Sequence, residues 1–350
     1  MKATYTRYNL NFKRPSGTSR GILKEKETWF IILEKDGKKG IGECGLLRGL
    51  SYDDVPNFEE KLQWVSQNIE LGFEALFSQL NEFPSIQFGL EQAFMSLNAN
   101  NSFVLFPSHF VEKETPISIN GLIWMGDESF MLSQLEKKLE EGFQCIKMKI
   151  GAIYFQTELS ILKSIRQRFS SSEIELRVDA NGAFPPQEAL EKLKQLSEFE
   201  IHSIEQPIKQ GQWEDMKRLC KETPLPIALD EELIGIFDVT KKERLLQTVR
   251  PQYIILKPSL LGGFKKSLEW IELAKTYRIG WWVTSALESN VGLNAIAQWT
   301  YTLNTKMPQG LGTGSLYTNN LESPLEVIGG KLFYRKNRNW KQNLIHELCT

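Results

Sequence analysis

From Pro116 onward, short apolar runs alternate with segments whose apolar residues recur every three to four positions. Residues 131–141, 187–196 and 265–277 are three of these amphipathic segments, and the pattern predicts a helix over each. Strands that alternate with helices in this way form parallel sheets covered by helices. The second part of the chain is therefore predicted to be a series of βα units.

The apolar runs end at polar or small residues that are evenly spaced along the chain. These ends are Asn120, Lys149, Asp179, Glu205, Asp230, Lys257, Ser285 and Gly312. Their spacing of about 25 to 30 residues is typical of one βα unit of a closed parallel barrel. The last run, 307–312, is the poorest strand of the series because it contains Pro and Gly. Eight such ends predict an α/β fold with a TIM-like (β/α) barrel over residues 116–318.

The first 115 residues show a mixed pattern. Alternating apolar and polar positions predict antiparallel strands at 4–12, 28–34 and 39–43, with a hairpin turn at Asp36-Gly37. Helices are predicted at 54–71 and 84–98. Residues 13–22 are rich in Gly, Ser and basic side chains, which fits either a solvated loop or a substrate lid. We expect an α+β capping domain over 1–115, and a C-terminal segment, 319–350, that returns to it through a hairpin at 325–334.

Composition narrows the class of protein but does not identify a function. Hydrophobic residues make up 41% and charged residues 24% of the 350 positions, and the net charge of −1 gives no bias towards nucleic acid or membranes. The four cysteines and three histidines are scattered, which disfavours a structural zinc site and favours a reduced, cytoplasmic protein. The expected partner is a small molecule, and assembly into a homo-oligomer is left open.

Three carboxylates, Asp179, Glu205 and Asp230, follow three successive strands. A parallel barrel gathers the carboxyl ends of its strands on one face. Buried together, these groups would repel one another unless a cation compensates, and an all-oxygen ligand set favours Mg²⁺ or Mn²⁺. Each one alone is more simply a helix N-cap or a solvated loop residue. Their repetition at three matched positions favours a metal site.

Three lysines flank the predicted carboxylate group. Lys147 and Lys149 lie two residues apart and so point to the same side of one strand, while Lys257 ends a later strand. Positive charge nearby makes a lysine a better base, so we expect Lys149 to be a base tuned by Lys147, with Lys257 opposite. The alternative is that Lys147 and Lys149 only pair with Asp179 and its neighbours, which would leave Lys257 unexplained.

Further polar residues accompany the predicted metal ligands. Arg177 and Asn181 share the strand face of Asp179, so they are candidates to orient it or to contact a substrate. Glu231 and Glu232 follow Asp230 and fit either a second layer around the metal or a solvated turn. A metal beside a lysine suits removal of a proton α to a carboxylate, because the metal stabilises the enediolate.

The strand motifs resemble those of the enolase superfamily, in the muconate-lactonizing-enzyme subgroup. The motifs are 147–149 (KMK), 177–182 (RVDANG), 204–207 (IEQP), 228–231 (ALDE) and 255–258 (ILKP). The resemblance implies a modified (β/α)7β barrel with a capping domain and Mg²⁺ held by Asp179, Glu205 and Asp230. A lysine base working with Mg²⁺ is the arrangement known for that superfamily.

Within the subgroup the chain most resembles the o-succinylbenzoate synthase family, through residues 285–293 (SALESNVGL), 40–44 (GIGEC) and 48–51 (RGLS). Those lyases dehydrate 2-succinyl-6-hydroxy-2,4-cyclohexadiene-1-carboxylate in menaquinone biosynthesis. The resemblance implies that Lys149 removes the α-proton and then protonates the departing hydroxyl, while Lys257 stabilises the enediolate. It also implies Ser285, Glu288 and Arg177 as substrate contacts, and Asn181 and Glu231 as a second layer.

Two other functions compete with this interpretation. N-acylamino acid racemases and dipeptide epimerases use the same two lysines, but 312–314 (GTG) lacks the Asp-x-Asp of the epimerases. The family's Ser-Ser pair is Thr284-Ser285 here, which leaves open which hydroxyl binds the succinyl tail. A non-catalytic, metal-stabilised barrel is the third candidate, although such a scaffold has no use for basic lysines beside a metal.

Overall fold

The structure, a computed structural model, describes residues 1–18 and 21–348. Its first unit is an antiparallel sheet in the order β1 (Lys2–Thr18), β2 (Gly21–Lys35), β3 (Lys38–Cys44), with the predicted turn at Asp36-Gly37. Three helices follow: α1 (Phe58–Gln67), α2 (Phe73–Ser78) and α3 (Pro84–Asn98). A Cβ on Gly42 would lie 1.9 Å from the Gly89 carbonyl oxygen, so this glycine allows α3 to pack closely on β3.

The predicted loop at 13–22 is wrong for the residues that the structure describes. β1 continues to Thr18 and β2 begins at Gly21, so both belong to one long hairpin whose register shifts between Asn11 and Ser16. Gly17 forms an isolated bridge with Met125 of the second unit. Residues 19 and 20, which were part of the predicted lid, lie outside the described residues.

The second unit is the predicted parallel barrel. The short strand β4 (Ile117–Ser118) precedes it and belongs to another sheet. The barrel strands are β5 (Gly121–Ile123), β6 (Cys145–Lys149), β7 (Glu175–Asp179), β8 (Ser203–Glu205), β9 (Ile227–Leu229), β10 (Tyr253–Leu256) and β11 (Gly280–Val283). β5 to β11 form one parallel sheet in chain order. Gln309 and Gly310 close it through parallel bridges to Ile119 and Thr284. The eighth strand is thus reduced to two residues, as the Gly- and Pro-containing sequence there suggests.

Helices surround the sheet and bury its outer face. They are α4 (His109–Glu112), α5 (Glu128–Glu140), α6 (Phe155–Arg168), α7 (Pro186–Ser197), α8 (Trp213–Glu222), α9 (Val239–Val249), α10 (Pro258–Leu261), α11 (Gly263–Thr276) and α12 (Asn290–Thr302). The largest hydrophobic cluster lies between these helices and the strands. Among the described residues, no helix combines the length and apolar character needed to cross a membrane.

The register of the strands brings the predicted ends to one level. Lys149 pairs with Asp179, and Asp179 pairs with Glu205. Asp230 and Lys257 directly follow β9 and β10. The prediction that the first barrel strand ends at Asn120 is wrong, because that strand, β5, begins after Asn120. Ile123 pairs with Met148, so the level of Lys149 is reached at Trp124.

The C-terminal segment contacts both units. β12 (Leu325–Ile328) and β13 (Lys331–Tyr334) form the predicted hairpin, but it pairs with β4, just before the first barrel strand, and not with the N-terminal sheet. The short helix α13 (Leu344–Glu347) places Leu344 against Phe30 and Ile32 of β2. The exact domain limits stay predictions.

Two carboxylates of the N-terminal unit cap helices of the barrel. Glu43 accepts hydrogen bonds from the backbone N–H groups of Ser289 and Gly292 at the start of α12, both at 2.8 Å. Glu91 accepts the N–H groups of Phe264 and Lys265 at the start of α11. Negative charge at a helix N-terminus is stabilising, so these contacts help to hold the units together.

Candidate active site

Three lysines and three carboxylates form one buried network at the carboxyl ends of the barrel strands. Lys147 donates to Asp179 Oδ2 at 3.0 Å and to Glu205 Oε2 at 2.7 Å, and Lys149 donates to Asp179 Oδ2 at 2.9 Å. Lys257 donates to Asp230 and lies 3.8 Å from Glu205 Oε1. The three carboxylates are at most 2% exposed. The structure therefore brings together all six predicted residues.

Burial and mutual charge together set the protonation of this network. Burial raises the pKa of Glu205 to about 8, helped by repulsion from Asp179. Burial also opposes ionisation of Asp179, but the three lysines outweigh it and lower the pKa of that carboxyl. For Lys147 and Lys257, burial is again the opposing cause, and the neighbouring carboxylates raise the pKa of both. At Glu205, burial and repulsion from Asp179 outweigh the attraction of Lys147 and Lys257.

The pairing alternative considered from the sequence is present in this structure. Lys147 and Lys149 do pair with Asp179, and Lys257 has a partner in Asp230, so Lys257 is not left unexplained. Within the described residues, the carboxylates are not arranged as a ready-made metal-ligand group. The donor set nevertheless fits a hard cation, because Glu205 Oε1 is buried without a hydrogen-bond partner among those residues.

A second layer of polar residues surrounds the network. Asn181 accepts a hydrogen bond from Lys149 at 2.7 Å and donates to Glu231 Oε1 at 3.0 Å. Gln206 accepts the N–H groups of Asp230 and Glu232, which orders the turn after β9. Glu231 and Glu232 are both buried, so a solvated turn is excluded for them.

The network opens into a cavity of about 1020 Å³. Both units line it: Leu47 and Leu50 come from the N-terminal unit, together with Lys13 and Arg14 of the β1–β2 hairpin. Trp124 lies 6.0 Å from the Lys149 ammonium, measured to the ring centroid. The sequence interpretation missed Trp124 because it ended the first strand at a polar residue four positions earlier.

Ser285 lines the cavity, but its hydroxyl is fully engaged. It donates to Glu288 and accepts from Thr313 Oγ1 at 2.8 Å and from the Leu287 N–H at 3.1 Å. A hydroxyl has one proton and two lone pairs, so no capacity is left for a substrate. Thr284, in contrast, lines the cavity beside Lys257, and its hydroxyl has no hydrogen bond within the described residues. The structure thus favours Thr284 as the available hydroxyl.

Two predicted substrate contacts lie elsewhere. Glu288 is completely buried and accepts from Ser259, Ser285 and the Ala286 N–H, so it does not face the cavity. Arg177 also stays outside the cavity lining, one layer deeper in the barrel. Its guanidinium donates to Glu175 and to the Pro308 carbonyl and lies 4.4 Å over the Trp282 ring. Sharing a strand face with Asp179 did not bring Arg177 to the same depth.

Comparisons with known proteins agree with the fold and with the strand motifs. The family model "Enolase C-terminal domain-like" matches residues 131–335, and "MenC, N-terminal domain" matches residues 1–97. An o-succinylbenzoate synthase of Desulfotalea psychrophila is 48% identical, over 95% of this chain and 98% of that protein. The crystal structure of MenC from the same organism has a TM-score of 0.85 at 44% identity, covering 95% of this chain and 99% of that one. Muconate lactonizing enzyme from Pseudomonas fluorescens, 21% identical over 100% of this chain and 98% of its own, shares the fold with a TM-score of 0.83.

Proposed function

Because the chain belongs to the o-succinylbenzoate synthase family of the enolase superfamily, we infer that it is a lyase that catalyses that family's reaction. The reaction is dehydration of 2-succinyl-6-hydroxy-2,4-cyclohexadiene-1-carboxylate to o-succinylbenzoate, a step of menaquinone biosynthesis. The observation that carries this inference is the buried network in which Lys149 and Lys257 flank Asp179, Glu205 and Asp230. Lys149, Asp179 and Lys257 of this network line the cavity. The cytoplasmic location stays a prediction.

The proposed chemistry needs one base that later acts as an acid. The neutral amine of Lys149 takes the proton from the carbon α to the ring carboxylate, and the resulting ammonium returns a proton to the departing hydroxyl on the same face. A C–H and a C–O bond break, a C=C bond forms and water leaves. Asn181, which accepts from Lys149 at 2.7 Å, would hold the Lys149 side chain in place. Lys257 would stabilise negative charge from the other side of the ring.

Asp179, Glu205 and Asp230 are the residues proposed to hold Mg²⁺, on which enolase-superfamily enzymes generally depend. Three buried carboxylates support this assignment, as does Glu205 Oε1, which accepts no hydrogen bond from any residue that the structure describes. When bound, the cation would supply positive charge to the substrate carboxylate and so lower the energy of the enediolate. Glu231 and Asn181 would support these ligands from behind.

The succinyl tail is proposed to lie towards Thr284, in the part of the cavity beyond Lys257. Thr284 is in register with Lys257 and faces the same cavity, and its hydroxyl makes no hydrogen bond to the residues that the structure describes. Gly310 makes room for it, since a Cβ there would lie 2.5 Å from Thr284 Oγ1. The cationic side chains of Lys13 and Arg14 at the cavity rim would attract a dicarboxylate.

The direct test is an assay of the purified chain with the cyclohexadiene substrate and Mg²⁺, run beside a panel of N-acylamino acids. We expect dehydration to be the main activity. Racemisation of N-acylamino acids without dehydration would overturn the inference in favour of the rival that uses the same lysines. The absence of both activities, with no Mg²⁺ or o-succinylbenzoate binding by calorimetry, would support the non-catalytic barrel.

Lys257→Arg separates the two catalytic mechanisms. Racemisation needs both lysines as proton donor and acceptor in turn, whereas dehydration needs one base and a positive charge opposite it. If the chain is a dehydratase, Lys257→Arg keeps part of its turnover because the charge remains. Lys149→Arg serves as the matched control and loses dehydration, because guanidinium is not a base at neutral pH.

A further inference from the structure

A tryptophan forms the cavity wall beside the proposed base. Trp124 follows β5, is 8% exposed and lines the cavity. The Lys149 ammonium lies over the face of its indole, 6.0 Å from the ring centroid. Trp124 also belongs to the hydrophobic cluster that contains Leu47 and Leu287, two other residues of the cavity wall. The cavity therefore presents a flat aromatic surface next to the atom that would take the substrate proton.

The backbone at Trp124 is held by one side chain of the helix that follows. Gln134 of α5 accepts the Trp124 N–H through Oε1 and donates through Nε2 to the Trp124 carbonyl, both at 3.0 Å. β5 is at the end of the strand order in the parallel sheet, and the closing segment meets this edge at Asn120, whose N–H donates to the Gln309 carbonyl. The Gln134 amide thus provides at Trp124 the pair of backbone hydrogen bonds that a neighbouring strand would provide.

The residue after Trp124 is fixed by the N-terminal unit. Met125 forms an isolated antiparallel bridge with Gly17 of β1. Trp124 is therefore held by contacts from two distant parts of the chain, α5 and the β1–β2 hairpin. An indole has only two side-chain torsions, so a ligand that packs against it orders few additional degrees of freedom.

The ring of the proposed substrate suits this flat apolar surface. The reaction turns a conjugated cyclohexadiene ring into a benzene ring, so the ligand is flat and aromatic at the end of the reaction. Aromatic rings pack in offset-stacked or edge-to-face arrangements and gain affinity beyond the area that they bury. Because Lys149 lies over the same indole, a ring that packs there is held next to the proposed base.

We propose that Trp124 is a specificity-determining residue, against whose indole the substrate ring packs, and that Gln134 is a positioning residue that holds Trp124 in place. Both amide atoms of Gln134 bond the Trp124 backbone, so Gln134 acts through Trp124. The inference rests on the proposed function for the identity of the ring. It deepens that function, because it assigns the preference for a flat, unsaturated ring to one side chain.

The test compares two ligands that differ only in the ring. o-Succinylbenzoate has a flat aromatic ring, and 2-succinylcyclohexane-1-carboxylate carries the same carboxylate and tail on a puckered, saturated ring. Calorimetry in the presence of Mg²⁺ gives Kd for each ligand, and the ratio of the two values measures the preference for the flat ring. We expect wild type to prefer o-succinylbenzoate by about tenfold and Trp124→Leu to lower this ratio about fivefold, as for loss of one aromatic contact. Trp124→Phe keeps an aromatic face and stays within about twofold of the wild-type ratio.

Steady-state kinetics provide a second readout of the same variants. Trp124→Leu should raise KM for the cyclohexadiene substrate about tenfold and keep kcat within about threefold, because Lys149 retains its hydrogen bonds to Asp179 and Asn181. Equal losses in kcat and kcat/KM, with KM unchanged, would place Trp124 in the chemical step and overturn its role in ring binding.

Gln134→Met tests the wall without altering the indole, so the proposal stays testable if Trp124→Leu does not fold. Methionine has a similar length and removes both hydrogen bonds to the Trp124 backbone. The ligand ratio should fall about threefold, which is less than in Trp124→Leu because the indole is still present. The double variant should resemble Trp124→Leu alone, since Gln134 acts through Trp124.

Two matched controls separate these effects from general damage. Trp64→Leu removes a tryptophan of α1 whose ring centroid lies 4.0 Å from the Lys61 ammonium and which is not among the described residues that line the cavity. Gln252→Met removes another amide that bonds the backbone twice: it accepts the Ile227 N–H at 2.9 Å and donates to the Cys220 carbonyl at 3.2 Å. Both controls keep the wild-type ratio of the two Kd values.

The outcomes distinguish this inference from the proposed function. A wild-type chain that dehydrates the substrate, with the same ligand ratio in Trp124→Leu, keeps the function and overturns the inference, as would equal falls in the ratio in the controls. A chain that does not dehydrate but loses its preference for the flat ligand in Trp124→Leu overturns the function and supports the role of Trp124. Binding of neither ligand by wild type overturns both.

Discussion

The Lys149 ammonium donates a hydrogen bond to Asn181 Oδ1 at 2.7 Å, from the end of β6 to the residue two beyond the end of β7. Asn181 itself has a φ of +44°, a left-handed conformation that asparagine tolerates better than most residues. Besides the Asp179 carboxylate, a neutral acceptor beyond the end of the neighbouring strand therefore orients the proposed base, and this second contact adds no negative charge.

Asn181→Asp should shift the pH dependence of dehydration. A carboxylate at this position would stabilise the charged form of Lys149, so the rising limb of kcat against pH should move to higher pH by roughly one unit. Asn304→Asp is a suitable control because Asn304 is also left-handed, with φ 53°, and lies far from the site. An unchanged pH profile in Asn181→Asp would mean that this hydrogen bond does not govern the base.

Lys149→Ala should remove dehydration and preserve the fold. Loss of a general base lowers kcat by about 10²–10⁴-fold, and here the same residue also protonates the leaving group, so the upper end is expected. Asp179 keeps Lys147 as a partner, and circular dichroism should therefore match wild type. Lys192→Ala, on the outer surface of α7, provides the control. Turnover above about one-hundredth of wild type would exclude Lys149 as the base.

Removal of the metal should abolish activity reversibly. Chelation followed by dialysis should leave an inactive chain that recovers on addition of Mg²⁺, and Asp230→Asn should weaken Mg²⁺ binding by about 100-fold or more in calorimetry. Glu158→Gln is the matched control: this carboxylate on α6 is also buried, but it accepts the Gly151 N–H at 2.6 Å and is not one of the proposed ligands. Equal affinity in Asp230→Asn and wild type would argue against the proposed ligand set.

Asp53→Asn should stabilise the protein at alkaline pH. Burial raises the pKa of Asp53 to about 7, so the folded state binds a proton more tightly than the unfolded state. The stability that protonated Asp53 contributes is therefore lost as pH rises from about 4 to about 7. One pKa unit corresponds to roughly 1.4 kcal/mol, so the loss is at most about 4 kcal/mol. Asparagine still accepts from the Ser85 N–H, and it does not ionise. Urea unfolding should show that Asp53→Asn is more stable than wild type at pH 8 and that this difference shrinks towards pH 5.

Asp127→Asn should change the pH dependence of stability in the opposite direction, and so it serves as a check on the Asp53→Asn experiment. The Phe130 N–H that Asp127 caps lowers the pKa of Asp127, so its contribution is present at neutral pH and is lost on acidification. This variant should be less stable than wild type at pH 7 and should approach it near pH 3. Parallel curves for the Asp53 and Asp127 variants would contradict the assignment of the Asp53 effect to burial.

Thr284→Val should weaken substrate binding, whereas Thr284→Ser should not. Valine keeps the shape and removes the hydroxyl, and losing one hydrogen bond to a charged tail costs about 1.5–3 kcal/mol, or roughly 10- to 100-fold in kcat/KM. Serine restores the donor. Equal kcat/KM for Thr284→Val and wild type would show that a group other than the Thr284 hydroxyl contacts the succinyl tail.

The sequence alone predicted the barrel and its six charged residues, because those features depend on local periodicity. Side chains alternate along a strand and strands recur at a regular interval, so matching positions reach the same barrel face. Gln309 and Gly310 mark where this reasoning weakens, since two bridging residues carry too little pattern to define a strand.

Only the tertiary structure decided how deep each polar side chain lies in the barrel and which hydroxyl groups are already hydrogen-bonded. Arg177 and Asp179 share one strand face, but two residues of rise, about 6.6 Å, separate a guanidinium buried over Trp282 from a carboxylate at the cavity. Ser285 and Thr284 are adjacent, yet Glu288, Thr313 and the Leu287 N–H saturate the Ser285 hydroxyl. Within the described parts of the chain, the Thr284 hydroxyl has no such partner. Such differences arise from residues far apart in the chain, and no local pattern encodes them. The sequence by itself thus determined which chemistry the barrel carries, and packing decided which side chains are available to perform it.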